Sequence, residues 1–247
     1  MAEKGKVKVQ KGEKRIRVML GGEIVADTSK PLLVWEVPYY PNYYFPESDV
    51  RTDLMVETGE TKSSPSRGEA TQYDVKANGS QGRAYTFRDS KVEEIAGHYA
   101  FVWDTFDHWF EEEEEVYTHA RDPHTRIDIL PSSRRVRVEI DGVTVADTSN
   151  GSFLFETSLP TRYYMPKTDV EMSLFTPTDK ATYCPYKGTA RYWTATVNGE
   201  TYDNILWGYD YPLLESQRIA GLVAFYNEKV DIFIDEELQG RPKTKFS

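Results

Sequence analysis

Polar and apolar positions along this chain alternate in short runs punctuated by turn residues, which is the pattern of strands rather than helices. RIRVML (15–20) places an apolar side chain at every second position, and RVRVEI (135–140) does the same. Each run meets a two-residue turn signal, Gly21-Gly22 or Asp141-Gly142, followed by a second run, which predicts a hairpin. LLVWE (32–36) and FLFE (153–156) read as buried strands, and YWTATVNGETY (192–202) as a further hairpin around Asn198-Gly199. One short helix is predicted in each half. Ser90 and Glu93 have capping-box spacing with Gly97 as the stop. Asp210 can cap a helix that carries Pro212 in its first turn and ends at Gly221. Each half then closes with a strand, in AFVWDTFDHWF (100–110) and VAFYNEKVDIFI (223–234).

The two halves are copies of one another. At an offset of 120, RIRVMLGGEIVADTS (15–29) falls on RVRVEIDGVTVADTS (135–149). Glu36 falls on Glu156, Tyr43-Tyr44-Phe45-Pro46 on Tyr163-Tyr164-Met165-Pro166, and Ser64-Pro65-Ser66-Arg67-Gly68 on Cys184-Pro185-Tyr186-Lys187-Gly188. Asn78-Gly79 falls on Asn198-Gly199. Four extra residues then enter the second copy, and the register resumes at an offset of 124, with Ile95-Ala96-Gly97 on Ile219-Ala220-Gly221. Fixed register over this length means duplication. The division expected from it is a flexible basic tail (1–13), a first domain (14–117), a polar linker with Pro123 and Pro131 (118–133), a second domain (134–238) and a tail (239–247). The domains are expected to be related by a pseudo-two-fold and to pack on each other; the oligomeric state is not legible.

Charge narrows the functions. With 30 basic and 40 acidic residues the formal net charge is −10, so the basic face that a nucleic acid requires is missing and an anionic membrane surface is disfavoured. The first residues, MAEKGKVKVQKGEKR, contain no apolar signal core, and no apolar run approaches membrane-spanning length. One cysteine, Cys184, can form neither an internal disulfide nor a thiolate zinc site by itself. A reducing, cytoplasmic setting is expected.

Segments YYMPKTDVEMSLF, TYCPYKGTARYW and IAGLVAFY of the second copy resemble the family called domain of unknown function 427, which typically shows a Glu before Tyr-Tyr-x-Pro, a Cys-Pro-x-Lys-Gly turn and Ala-Gly-His-Val-Ala-Phe-Tyr. Residues 135–235 resemble it nearly throughout and residues 15–115 more loosely. The resemblance implies a mainly β architecture of two tandem β-tent-like domains, each with small antiparallel sheets meeting at an angle. Related folds carry zinc on paired Cys-x-x-Cys knuckles, which this chain lacks, so neither metal nor other cofactor is expected. A nucleotidyltransferase-like label attached to the family finds no Gly-rich phosphate loop and no Asp-x-Asp pair here. The copies depart from the family pattern in complementary ways. The first keeps the histidine, His98, with Ser64 at the cysteine position; the second keeps Cys184 with Leu222 at the histidine position.

The candidates for chemistry follow from residue type and place. Cys184 beside Lys187 is either an activated thiolate or a small packed hydrophobe. Glu36 and Glu156 end apolar strands. Each is either a buried carboxylate with a raised pKa, suited to acid–base work, or a strand-end residue in water or paired with an Arg. Tyr43/Tyr44 and Tyr163/Tyr164 point to opposite faces of a strand, so one of each pair is expected in the core and the other lining a surface or pocket. With Tyr186, Trp193, Trp207, Tyr209 and Tyr211 they form an aromatic set suited to a planar or sugar-like ligand, or ordinary sheet packing. His119 and His124 make a weak metal signal, and the run Glu111–Glu115 is expected where a strand leaves its sheet for water. If the family site needs both turn residue and histidine, His98 should lie with Ser64 and Glu36, and Cys184 with Glu156, Tyr164 and Leu222. The leading reading is a protein that binds a small organic molecule through aromatics and a carboxylate, with or without catalysis. The alternative is a non-catalytic protein-interaction module.

Overall fold

The computed structural model describes residues 7–244, and the chain divides into two compact units, 1–123 and 124–247. Unit 1 contains β1 (Lys8–Lys11), β2 (Ile16–Leu20), β3 (Glu23–Thr28), β4 (Leu32–Val37), β5 (Tyr40–Pro46), β6 (Met55–Ser64), β7 (Gly68–Ala77), β8 (Ser80–Thr86), β9 (His98–Phe101), β10 (His108–Glu111) and β11 (Glu114–Glu115). Unit 2 repeats them strand for strand as β12 (Ile127–Ser132), β13 (Val136–Ile140), β14 (Val143–Thr148), β15 (Gly151–Glu156), β16 (Arg162–Tyr164), β17 (Phe175–Cys184), β18 (Gly188–Val197), β19 (Glu200–Gly208), β20 (Val223–Phe225), β21 (Asp231–Ile234) and β22 (Glu237–Leu238).

The protein is mainly β, with antiparallel sheets in each unit. In unit 1 a seven-stranded sheet runs β1-β4-β5-β9-β8-β7-β6 and a four-stranded sheet runs β11-β10-β2-β3. Unit 2 keeps this order. Its long sheet is held as β12-β15-β16 and β20-β19-β18-β17, joined where Met165 and Val223 exchange backbone hydrogen bonds of 2.8 and 3.0 Å. The alternation read from the sequence decides which faces are buried: Ile16, Val18 and Leu20 are buried while Arg17 and Met19 are not, and β13 repeats the pattern. The predicted hairpins form, with Asp141 and Gly142 both at positive φ (48° and 75°) as their two-residue turn requires.

Each long sheet has two buried faces. The inner face of unit 1 packs Tyr43, Phe45, Val75, Tyr99 and Phe101 against Ile16, Val18 and Leu20 of the smaller sheet. On its outer face Leu32, Val34, Tyr44, Ala70, Phe87 and Ile95 form a second cluster, covered in part by Val7 and Val9 at β1. Unit 2 reproduces that outer cluster with Leu154, Tyr164, Ala190, Trp207, Tyr209 and Ile219, and Ile129 of β12 is part of it.

Several expectations are corrected by this arrangement. Residues 1–13 are not simply a tail, because Lys8–Lys11 pairs with β4; residues 1–6 lie outside the described segment. Nor is 118–133 all linker: Ile127–Ser132 pairs with β15 from Ile127 opposite Glu156 to Ser132 opposite Gly151, as β1 does with β4 in unit 1. Residues 117–122 lie along unit 1, with Ala120 buried, the Trp35 indole donating to Asp122 at 2.8 Å and His119 stacked on Tyr40 at 4.0 Å. The predicted helices shrink to 3-10 turns at Glu93–Ile95 and Leu214–Ile219, neither with a side-chain cap. Ser90 instead accepts from the Val92 amide and donates to the Arg67 carbonyl. The closing strand of each half is two strands in different sheets, broken in unit 1 by the 3-10 turn Trp103–Thr105. The glutamate run leaves for water at Glu112, Glu113 and Glu114, but not from its first residue. Glu111 is buried against Tyr43 and Lys14, and the rest turns back as β11.

The four inserted residues fall between Gly199 and Ile219, in two separate pairs. Ala195 opposes Tyr202 as Val75 opposes Gly82, but Trp193 opposes Leu206 where Tyr73 opposes Ala84, so two residues enter β19 as a bulge. Asn204 sits in that bulge at φ 51°, its amide bonded to Thr194 and its side-chain oxygen to Thr178. The other two residues lengthen the Leu214–Ile219 turn relative to Glu93–Ile95. No helix among the described residues is long and apolar enough to cross a membrane.

Candidate functional site

The outer cluster of each unit carries an ion pair where an apolar face would be expected. In unit 1, Glu36 near the end of β4 pairs with Arg67 in the turn between β6 and β7, with 15% and 13% of their side chains exposed. The other carboxylate oxygen accepts hydroxyls from Tyr44 at 2.7 Å and Tyr85 at 2.6 Å. Arg67 also donates to Ser64 and to the Tyr44 oxygen, and its guanidinium lies 4.9 Å from the Phe87 ring. Asn42 reaches the Tyr85 hydroxyl at 3.4 Å. Burial by itself would raise the Glu36 pKa. The Tyr85 and Arg67 donors, with Tyr44, outweigh it and hold the carboxyl below its ordinary value. The raised-pKa expectation for Glu36 is therefore overturned, and the arginine partner is the alternative realised. Burial, then the Glu36 charge, pushes the Tyr44 hydroxyl up, so it stays a donor.

Unit 2 builds the same position from different side chains. Glu156 pairs with Lys187 at 2.6 Å, with 8% and 10% of their side chains exposed. Trp207 stands where Tyr85 stands, since it opposes Ala224 and Tyr192 as Tyr85 opposes Ala100 and Gln72. Its indole donates to the Tyr164 hydroxyl at 3.2 Å. Tyr209 takes the place of Phe87 and Cys184 that of Ser64. Arg162, at the Asn42 position, makes a two-pronged pair with Glu228 at 2.7 and 2.8 Å and lies 5.4 Å from the Trp207 ring. Burial pushes the Tyr164 and Tyr209 hydroxyls up, with the Tyr164 and Cys184 groups adding to the effect at Tyr209.

The strand alternation sorts the remaining candidates. Tyr43 and Tyr44 do point to opposite faces, and both are buried. Tyr43 bonds Glu111 on the inner face, Tyr163 packs on Phe153 at 4.8 Å, and Trp193 packs on the inner cluster with Lys167 over its ring. The proposed set thus splits: Tyr44, Tyr164, Lys187 and Trp207 join the carboxylates, whereas Tyr43, Tyr163 and Trp193 do not. Tyr186 sits in the turn at the rim. His98 shares the face of Ala100, but its ring bonds the Ala96 carbonyl at 3.2 Å and neither Glu36 nor Ser64. The divided-site expectation fails for the histidine. In unit 2, Leu222 packs on the outer cluster. Lys187 meets Glu156 rather than the Cys184 thiol, so the thiol has no ammonium of its own.

Sequence reasoning missed Arg67, Tyr85 and the Arg162–Glu228 pair. Alignment of Arg67 with Lys187 held the signal for the first, since a cation is kept after Glu36 and Glu156 at the same offset. No local signal marks Arg162 and Glu228, which are brought together only by the sheet. A groove of about 570 Å³ on the outer face of unit 1, lined by Thr58, Lys62, Gln72, Asp74 and Arg83 among others, does not include Glu36 or Arg67.

The family described as a domain of unknown function (DUF427) matches residues 8–112 and 128–236. Comparison with curated proteins finds none that matches.

Proposed function

The chain belongs to the DUF427 family, in two tandem copies, and on that premise we propose that it binds a small organic molecule at the outer-face carboxylate site. The observation that carries this reading is the ion pair set into an apolar cluster in both units, Glu36–Arg67 and Glu156–Lys187. Taking two charges out of water costs several kcal/mol per ion, and apolar residues of similar size commonly do the structural work as well or better. A charged pair kept at one place while Arg becomes Lys, Tyr becomes Trp and Ser becomes Cys supports a role in recognition. The aromatic walls and the few convergent polar groups are the ordinary furnishing of such a site.

Glu36 has three donors and a lowered pKa, which supports an orienting carboxylate and not a proton carrier. The reading is accordingly one of binding. A screen of small aromatic fragments against the full chain by ligand-observed NMR, repeated on Glu36→Gln and Glu156→Gln, tests it. Fragments whose binding weakens in at least one variant are expected. Hits indifferent to both substitutions, or no hits at all, would overturn the assignment. The interaction-module reading has one observation in its favour: Tyr211 and Leu214 beside the unit 2 site are 91% and 81% exposed.

A further inference from the structure

The two outer-face sites differ in what they leave unbonded. In unit 1, Glu36 and Arg67 bond each other, two tyrosines and Ser64, so the polar groups answer one another. In unit 2 Lys187 is the partner of Glu156, and among the described residues one carboxylate oxygen and two ammonium donors are left over. The Tyr164 hydroxyl accepts from Trp207, and its own proton has no acceptor among the described residues. Tyr209 is 5% exposed, and its hydroxyl bonds nothing among the described residues. The sealed side-chain polar atoms without partners among those residues are Nε of Arg17 and Nε of Arg121. The Tyr209 oxygen is not one of them, so it is not wholly sealed from solvent.

The rim has changed in the same unit. The Lys91 amide bonds the Arg67 carbonyl as the Leu213 amide bonds that of Lys187, which aligns Asp89 with Tyr211 and Lys91 with Leu213. Ser66 aligns with Tyr186 at the fixed offset. A polar rim around a self-satisfied pair in unit 1 has become an apolar rim around an unsatisfied one in unit 2.

We propose that the unit 2 site binds an uncharged planar amide, whose carbonyl accepts from Lys187 and Tyr209 and whose N–H donates to the spare oxygen of Glu156, with its ring against Tyr186 and Leu213. This assignment rests on the small-ligand reading above. The charge arithmetic favours it. Glu156 and Lys187 sum to zero, so an anion would face the carboxylate and a cation the ammonium, whereas an amide presents an acceptor to one and a donor to the other.

The test uses the full chain and three probes of one shape, benzamide, benzoate and benzylamine, titrated by ligand-observed NMR. Benzamide is expected to bind most tightly and to weaken about tenfold in Tyr209→Phe, the loss of one hydrogen bond. That substitution gives the residue type of Phe87, so the fold should be kept, and Tyr73→Phe in the inner-face cluster of unit 1 should leave the affinity unchanged. Benzoate or benzylamine binding in unit 2 with benzamide silent overturns the amide assignment but leaves the small-ligand reading standing. Benzamide binding indifferent to Tyr209→Phe, or weakened as much in Tyr73→Phe, overturns the unit 2 assignment. No binding by any probe at millimolar concentration would sink both.

Discussion

Unit 1 and unit 2 place a carboxylate and a cation at the same points of the same sheet, yet among the described residues one pair is fully bonded and the other has groups to spare. Glu36 is met by an arginine and two tyrosines, Glu156 by a lysine. Arg67, with its planar fork, reaches Glu36, Ser64 and Tyr44 together; the ammonium of Lys187 makes one bond and keeps two donors. Replacing Tyr85 by Trp207 removes an oxygen that could donate to the carboxylate and turns the indole to Tyr164 instead. The backbone therefore determines where a polar site lies, and a handful of side chains decides how fully it answers itself.

The largest difference expected between the units lies at positions 42 and 162. Arg162→Ala leaves the Glu228 carboxylate buried without its ion-pair partner, with the Thr244 hydroxyl still donating to it, and should destabilise unit 2 by about 3–5 kcal/mol. Asn42→Ala loses one long hydrogen bond and should destabilise unit 1 by about 1 kcal/mol or less. Hydrogen exchange read unit by unit measures both; equal losses would break the contrast.

Next comes the carboxylate itself. Glu36→Gln disturbs three donors and should destabilise unit 1 by about 2 kcal/mol, while Glu156→Gln, with one partner, should destabilise unit 2 by about 1 kcal/mol. A larger loss at Glu156 would show that its site is not open.

Acidity sharpens the same comparison. The folded-state pKa of Glu36 lies below its ordinary 4.5, so its contribution is fully present above that value and is lost as pH falls through the lower folded value. Unit 1 should lose more stability below about pH 4.5 in the native chain than in Glu36→Gln, by pH-dependent hydrogen exchange. Parallel curves would mean that the tyrosine and arginine donors do not hold the carboxyl ionised.

The smallest effect is expected at the turn. Cys184 is partly exposed and its counterpart is Ser64, so Cys184→Ser should destabilise unit 2 by about 1 kcal/mol or less in urea unfolding. A much larger loss would make the thiol a tightly packed group despite its partial exposure.

The repeat, the hairpins and the strand faces were legible in the sequence because each rests on local geometry: a period of two, a two-residue turn, a fixed offset. The RIRVML and RVRVEI strands are buried on the side their alternation predicts. Capping-box spacing at Ser90 misled because the Arg67 backbone, distant in sequence, supplied the bond that a helix would have used. Glu111 misled because five glutamates in a row read as solvated, whereas Tyr43 and Lys14 receive one of them.

What the sequence determined by itself was a duplicated β domain with a carboxylate, a tyrosine pair and a proline turn at matching places. What the tertiary structure decided was which of these meet. Glu36 and Arg67 are 31 residues apart, as are Glu156 and Lys187, and Arg162 and Glu228 are 66 apart. A chain closes such distances only through sheet registers fixed by many cooperative backbone pairings. Whether a charge is then satisfied depends on how many donors those registers bring within about 3 Å of it, a count that no spacing along the chain encodes.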